Sequence, residues 1–299
     1  MTPFLLLRKL LEARLATGAT SWFRATTNEI ADGPTNTRFC ALFSQAARHV
    51  KHAPLAPAAA EVEAAGRCVP GWNPERWDVL EAVRVGLVLA RTDLAGDGGA
   101  LALEEAFRYA DEGELCALLR ALGLVPGGER FLWRAGEGCR SNMRSVYEAA
   151  ALDTPYPALH FGDDAWRQCV VKCLFVGAPL WRLWGLDQRL SPELARMALD
   201  LADERRSAGR PVPHELWLCL GPYGGARGLD ALEGELASTN PNRAGRCAAA
   251  LAFARAGDTG RLARLEKDET DPAMRDALAR ARAGETDAPS FRHLAQLLS

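Results

Sequence analysis

Apolar residues recur along this sequence with the 3.6-residue spacing of an α-helix, and the sustained period-2 alternation of half-buried strands is missing. Residues 3–16 gather leucines on one face of an amphipathic helix. Residues 17–70 predict Ala-rich helices broken at Gly33-Pro34, at Pro54 and Pro57, and at Pro70-Gly71. Asn73 followed by Pro74 predicts a capped helix running to about Ala90. "LAGDGGA" reads as a loop, and "LALEEAFRYADEGELCALLRALGLV" then predicts two helices parted between Asp111 and Gly113. Ser191-Pro192 opens another helix that ends near Gly209, and "GRPVPHELWLCLGPYGGARG" predicts a loop around a short helix.

The C-terminal pattern repeats. Asn240-Pro241 and Asp271-Pro272 stand 31 residues apart, and each opens a helix rich in Ala, Leu and Arg, expected at 241–255 and 272–283. That period suits helix-pair solenoid repeats of the HEAT type, and it equally suits two ordinary Pro-started helices. The expected fold is therefore all-α, a helical bundle or α-α superhelix with HEAT-like pairs toward the C-terminus. Residues 1–225 form its main domain, and 226–299 form a tail packed on it.

The least generic stretch is "EGCRSNMRSVYEAAALDTPYPALHFGDDAWRQCVVKCLF", residues 137–175. Read as one helix, 137–151 puts Glu137, Arg140, Ser141, Arg144 and Glu148 on a charged stripe. Cys139, Met143, Val146 and Ala150 form the opposite face, with Asn142 at its edge. An amide there needs a partner, so Asn142 is a helix-to-helix brace or a ligand contact. Pro155 and Pro157 predict a stiff, extended connector that presents Tyr156 and His160 or packs Tyr156 and Phe161 onto the core. Asp163 can cap a helix that carries Trp166, Cys169, Val170, Cys173 and Leu174 on one stripe and Gln168, Lys172 and Phe175 on a second. This helix is apolar nearly all round, so Lys172 either snorkels to water or meets a carboxylate such as Asp153, Glu148 or Asp164.

Composition narrows the classes. Across 299 residues the chain is 48% hydrophobic and 25% charged, with a net charge of −2, so nothing pulls it globally toward nucleic acid or anionic lipid. The apolar stretch "VVKCLFVGAPLWRLWGL" is interrupted by Lys172, Pro179 and Arg182, and it predicts buried core rather than a membrane span. The start, "MTPFLLLRKLLEARLA", lacks the apolar region of a secretory leader, and eight scattered Cys without a CxxC pair predict a reducing, cytoplasmic setting. Cys169 and Cys173 are spaced i,i+4 but have no second ligand pair, so no metal and no cofactor is expected. Nucleotide-binding, zinc-protease and serine-hydrolase signatures are all missing.

The run from "ERFLWRAGEGCRSNMRSVYEAA" to "DTPYPALHFGDDAWRQCVVKCLF", with "GLDQRLSPELARMALDLADERRSAGRPVPHELW", resembles the EboA family of bacterial metabolite-traffic proteins. The resemblance is sharpest over about 129–217, plausible from Trp72 and weak over the first 60 residues and the tail. Thr154 stands where Asn is usual in the family's Asn-Pro-Tyr-Pro turn, and Cys139 stands where an aliphatic residue is common. The resemblance implies a wholly helical, cytoplasmic protein that helps move or supply a secondary metabolite. Its implied partners are the metabolite or proteins of the same gene cluster, among them a prenyltransferase-like membrane protein; no catalytic mechanism comes with it. Three readings remain open. One is a non-enzymatic binder of a metabolite or partner, with a ligand set of Arg140, Asn142, Asp153, Tyr156, His160 and Lys172 supported by Glu137, Glu148, Trp166 and Gln168. Another is an enzyme using the same six residues. The third is a ligand-free scaffold that they brace.

Overall fold

The computed structural model describes residues 1–237, 241–257 and 259–298. Among them the fold is all-α, with an isolated bridge between Pro54 and Asp78 and no strands. The chain forms two compact units, Met1–Cys169 and Val170–Ser299. This division follows packing; the one expected at 225/226 follows the reach of the resemblance.

The first unit contains α1 (Pro3–Glu12), α2 (Thr17–Ala31), α3 (Asn36–His49), α4 (Ala59–Cys68), α5 (Val79–Leu89), α6 (Asp97–Tyr109), α7 (Glu112–Ala121), α8 (Leu132–Arg140), α9 (Arg144–Ala151) and α10 (Tyr156–His160). The breaks at Gly33-Pro34, Pro54 to Pro57 and Pro70-Gly71 fall between helices, as expected, because Pro and left-handed Gly both end the ladder. α5 is apolar nearly all round and is the centre of this unit, packed by α1, α2, α3 and α7. Phe23 of α2 lies where a Cβ on Gly86 would come within 2.9 Å, so the bare glycine lets the two helices close up.

Two expected boundaries are corrected. The Asn73 carboxamide oxygen accepts the Glu75 N–H at 2.9 Å and closes only a local turn. The chain then runs extended beside 53–55, with Leu55 N–H donating to Trp77 O at 2.9 Å and Val79 N–H to Ala53 O at 2.8 Å. A helix begun at Pro74 would break those two bonds. α5 starts five residues later, where Asp78 and Glu81 make a reciprocal capping box. The loop "LAGDGGA" is also shorter than expected, because α6 already starts at Asp97.

α11 (Asp163–Val176) begins in the first unit and ends in the second. The second unit continues with α12 (Pro192–Ser207), α13 (Gly225–Leu236), α14 (Arg243–Arg255), α15 (Thr259–Asp268) and α16 (Pro272–Arg282). α12 begins as expected, with the Ser191 hydroxyl accepting the Leu194 N–H at 3.2 Å. Asp271 caps α16 as expected. Asn240 lies outside the described residues; Asn242 caps α14, accepting the Gly245 N–H at 2.9 Å. α14 is buried along nearly its whole length and packs against α13, α15, α16 and the turns at 214–219 and 288–298. Among the described residues no helix is long and apolar enough to cross a membrane.

Candidate functional site

The expected single helix over 137–151 is interrupted. α8 ends at Arg140, Ser141 to Met143 leave the helix, and α9 starts at Arg144. Ser141 turns extended and its hydroxyl accepts the Met143 N–H at 3.0 Å, a side-chain bond that competes with the helical ladder. The break changes which residues face outward. Cys139, Val146 and Ala150 are buried as expected, but Met143 is 47% exposed and Asn142 lies at the surface rather than at the edge of an apolar face.

Trp133, Glu137 and Arg140 share one exposed face of α8. Trp133 is 62% exposed, and the Arg134 guanidinium lies over its ring at 4.6 Å while bonding Glu104 at 2.6 Å. The indole is therefore held in place although it is open to water. Arg140 bonds the Glu137 carboxylate one turn earlier, with Nε at 3.0 Å. Arg144 and Glu148 pair at 2.7 Å, the i,i+4 bridge read from the sequence. Screening leaves such surface pairs little stabilising value.

The "DTPYPALH" segment faces inward instead. Asp153 is buried and left-handed, φ +58°, and its carbonyl accepts the Asn73 N–H at 3.0 Å. The Thr154 hydroxyl accepts the Tyr156 N–H at 3.3 Å, and a Cβ on Gly123 would fall 2.3 Å from that same oxygen. The stiff extended connector expected here is in fact a turn of helix, α10, with Pro157 in its first turn, where a missing N–H costs nothing. Tyr156 is fully buried and its hydroxyl donates to Gly128 O at 2.6 Å. Burial pushes the Tyr156 phenol pKa up, with Glu129 and Cys139 adding to the effect. His160 is half-buried, its ring 4.6 Å from that of Tyr156, and Phe161 meets Tyr156 edge-on at 6.2 Å. Beneath them, the Tyr147 hydroxyl donates to Cys169 O at 2.8 Å. The Cys139 thiol hydrogen-bonds Cys169 and lowers its pKa against the opposing effect of burial.

The structure thus brings Tyr156 to His160, Arg140 to Glu137 and Glu148 to Arg144, while Arg140 and Asn142 are exposed and Asp153 and Tyr156 are interior. On α11, Trp166 is buried, Gln168 and Phe175 are exposed, and Lys172 is half-buried in the portion belonging to the second unit. The expectation that α11 is buried nearly all round is corrected, because its second stripe reaches water. Cys169 and Cys173 are buried and in no disulfide, and no metal-binding group of His, Cys, Asp or Glu occurs among the described residues.

Sequence reasoning passed over a buried charged layer between α5 and α7. Arg84 meets Glu114 at 3.5 Å and lies 5.8 Å from the Phe43 ring; Arg120 meets Glu81 at 3.2 Å and lies 5.7 Å from the Trp77 ring. The signal was available. Arg84 sits in "VLEAVRVGLVL", as conspicuous a charge in an apolar helix as Lys172.

Fold and site together define an all-helical protein whose best-matched stretch splits into an internally bonded half and a surface half. The family described as Metabolite traffic protein EboA matches residues 4–221, and the chain belongs to the EboA family. The match therefore begins in α1, well before the region where the resemblance looks strong by eye. No curated protein and no solved structure matches the chain.

Proposed function

We propose that this EboA-family chain serves metabolite traffic by binding, and that the surface it uses is formed by α8 and the α8–α9 break. The observation that supports this reading is the division of residues 129–175. Asp153, Thr154 and Tyr156 bond the protein's own backbone, whereas Trp133, Arg140, Asn142 and Met143 stand at the surface. Trp, Arg and Met are the side chains that dominate partner-binding surfaces, and Trp133 is already immobilised by Arg134, so little ordering entropy is lost on contact. The partner in this reading is another protein of the pathway, with the metabolite itself as the alternative occupant. The setting is the cytoplasm, and the membrane protein of the pathway is one candidate. We read 1–225 as the unit that defines the family and 226–299 as a HEAT-like tail, since a polar residue followed by a proline occurs at the start of both α14 and α16, at 240–241 and 271–272 in the sequence.

The test is a strain lacking the gene, supplied with Trp133→Ala, Arg140→Ala or Asn142→Ala protein. Each variant should accumulate and melt like the parent, yet fail to restore the distribution of the pathway product between cells and medium. Full restoration by all three would place the functional surface elsewhere.

A further inference from the structure

The second unit holds a cleft of about 420 Å³ between Asp187, the end of α14 at Arg255, and the loop that follows α16. That volume lies in the range of small-molecule sites. Glycine aside, every lining side chain is charged or carries a hydroxyl.

The rim is built rather than loose. Gly284 takes the left-handed conformation, φ +78°, that ends α16, and the Glu285 N–H returns to Arg280 O at 3.0 Å. Asp187 accepts the Ala288 N–H at 3.1 Å, and Asp287 accepts the Ser290 N–H at 3.2 Å. The Arg255 side chain is only 10% exposed and is ion-paired with Asp187. Its remaining Nη1 reaches the Thr286 carbonyl at 3.4 Å, the outer limit of a hydrogen bond, so it retains capacity to donate. The Thr286 hydroxyl has no partner among the described residues.

We infer that this cleft is a binding site for a small, uncharged, polyhydroxylated molecule, held by Asp187, Arg255, Thr286, Asp287 and Ser290. The chemistry selects the class. Carboxylates only accept hydrogen bonds and a guanidinium only donates, so a ligand must offer both donors and acceptors at close spacing. Hydroxyl groups do both. Three carboxylates, Asp187, Glu285 and Asp287, line the cleft against one guanidinium, and Arg280 neutralises only Glu285, at 2.9 Å. An anion therefore meets a net negative wall, and a simple cation, which only donates, leaves the Arg255 donors and the Thr286 and Ser290 hydroxyls without an acceptor. Apart from Asp187 its lining residues lie beyond residue 221, where the family match ends, and all of them belong to the second unit whereas α8 belongs to the first, so this inference does not rest on the function proposed for the α8 surface.

The test is saturation-transfer NMR on the full chain with myo-inositol and D-glucose as probes, and with myo-inositol 1-phosphate and putrescine as charged comparisons. The neutral polyols should receive saturation. Affinity should fall about fivefold in Thr286→Val and in Ser290→Ala, the scale of one lost hydrogen bond, at unchanged melting temperature. Saturation of neither polyol overturns the inference. So does equal saturation in parent and variants, or stronger binding of the phosphate or the diamine.

Discussion

The Tyr156 hydroxyl donates to Gly128 O, and both groups are buried. Tyr156→Phe removes this buried hydrogen bond and should cost about 0.5–1.5 kcal/mol in urea unfolding, with the fold retained. Gly128→Ala should cost at least as much, since its Cβ would sit 2.9 Å from His160 Nε2 and 3.2 Å from the Tyr156 ring. His214 offers a pH test. Burial lowers its pKa to about 4, outweighing the Glu215 carboxylate 3.8 Å away. An unfolded histidine titrates near 6.5, so between the two values the unfolded chain binds a proton that the folded chain refuses. Stability should drop as pH falls through that window, by up to about 3 kcal/mol, and His214→Gln should flatten the drop. Parallel pH dependence of urea midpoints in parent and variant would show that His214 is not its source. Little of this was legible in the sequence, because Tyr156 finds its partner 28 residues away and the burial of His214 depends on packing.

At the scale of elements, local signals read well and distant ones did not. Ser191 and Asp271 cap the helices they were expected to open, because a cap is decided within four residues, whereas Asp163, expected as a cap, is the first residue inside α11. The start of α5 is decided by bonds to Ala53 and Leu55, more than twenty positions away, and so Asn73 misled. The correction is measurable. Asp78→Ala should cost about 1 kcal/mol, within the usual range for a lost N-cap, and Asn73→Ala distinctly less, as read from urea midpoints. The reverse order would restore Asn73 as the cap. The α8–α9 break was hidden for a related reason. Residues 137–151 satisfy a helical period throughout, and at the break the Ser141 side chain competes for the Met143 N–H.

For the whole molecule, the all-α class was legible because helical periodicity is distributed over the entire chain, whereas the partition into two compact units was not. The candidate residues were legible as a segment, since chemistry that breaks pattern stands out at Asn142, Pro155 to Pro157 and Lys172. Their division into an inner and an outer half was not, because it hangs on a three-residue break. That division carries the functional account, and one paired measurement tests it most directly: urea stability and product distribution in cells for Tyr156→Phe beside an Arg140→Ala/Asn142→Ala double variant. The account predicts that Tyr156→Phe loses stability and loses activity only in proportion to it, while the double variant keeps full stability and loses activity. A double variant that is both stable and fully active would contradict it.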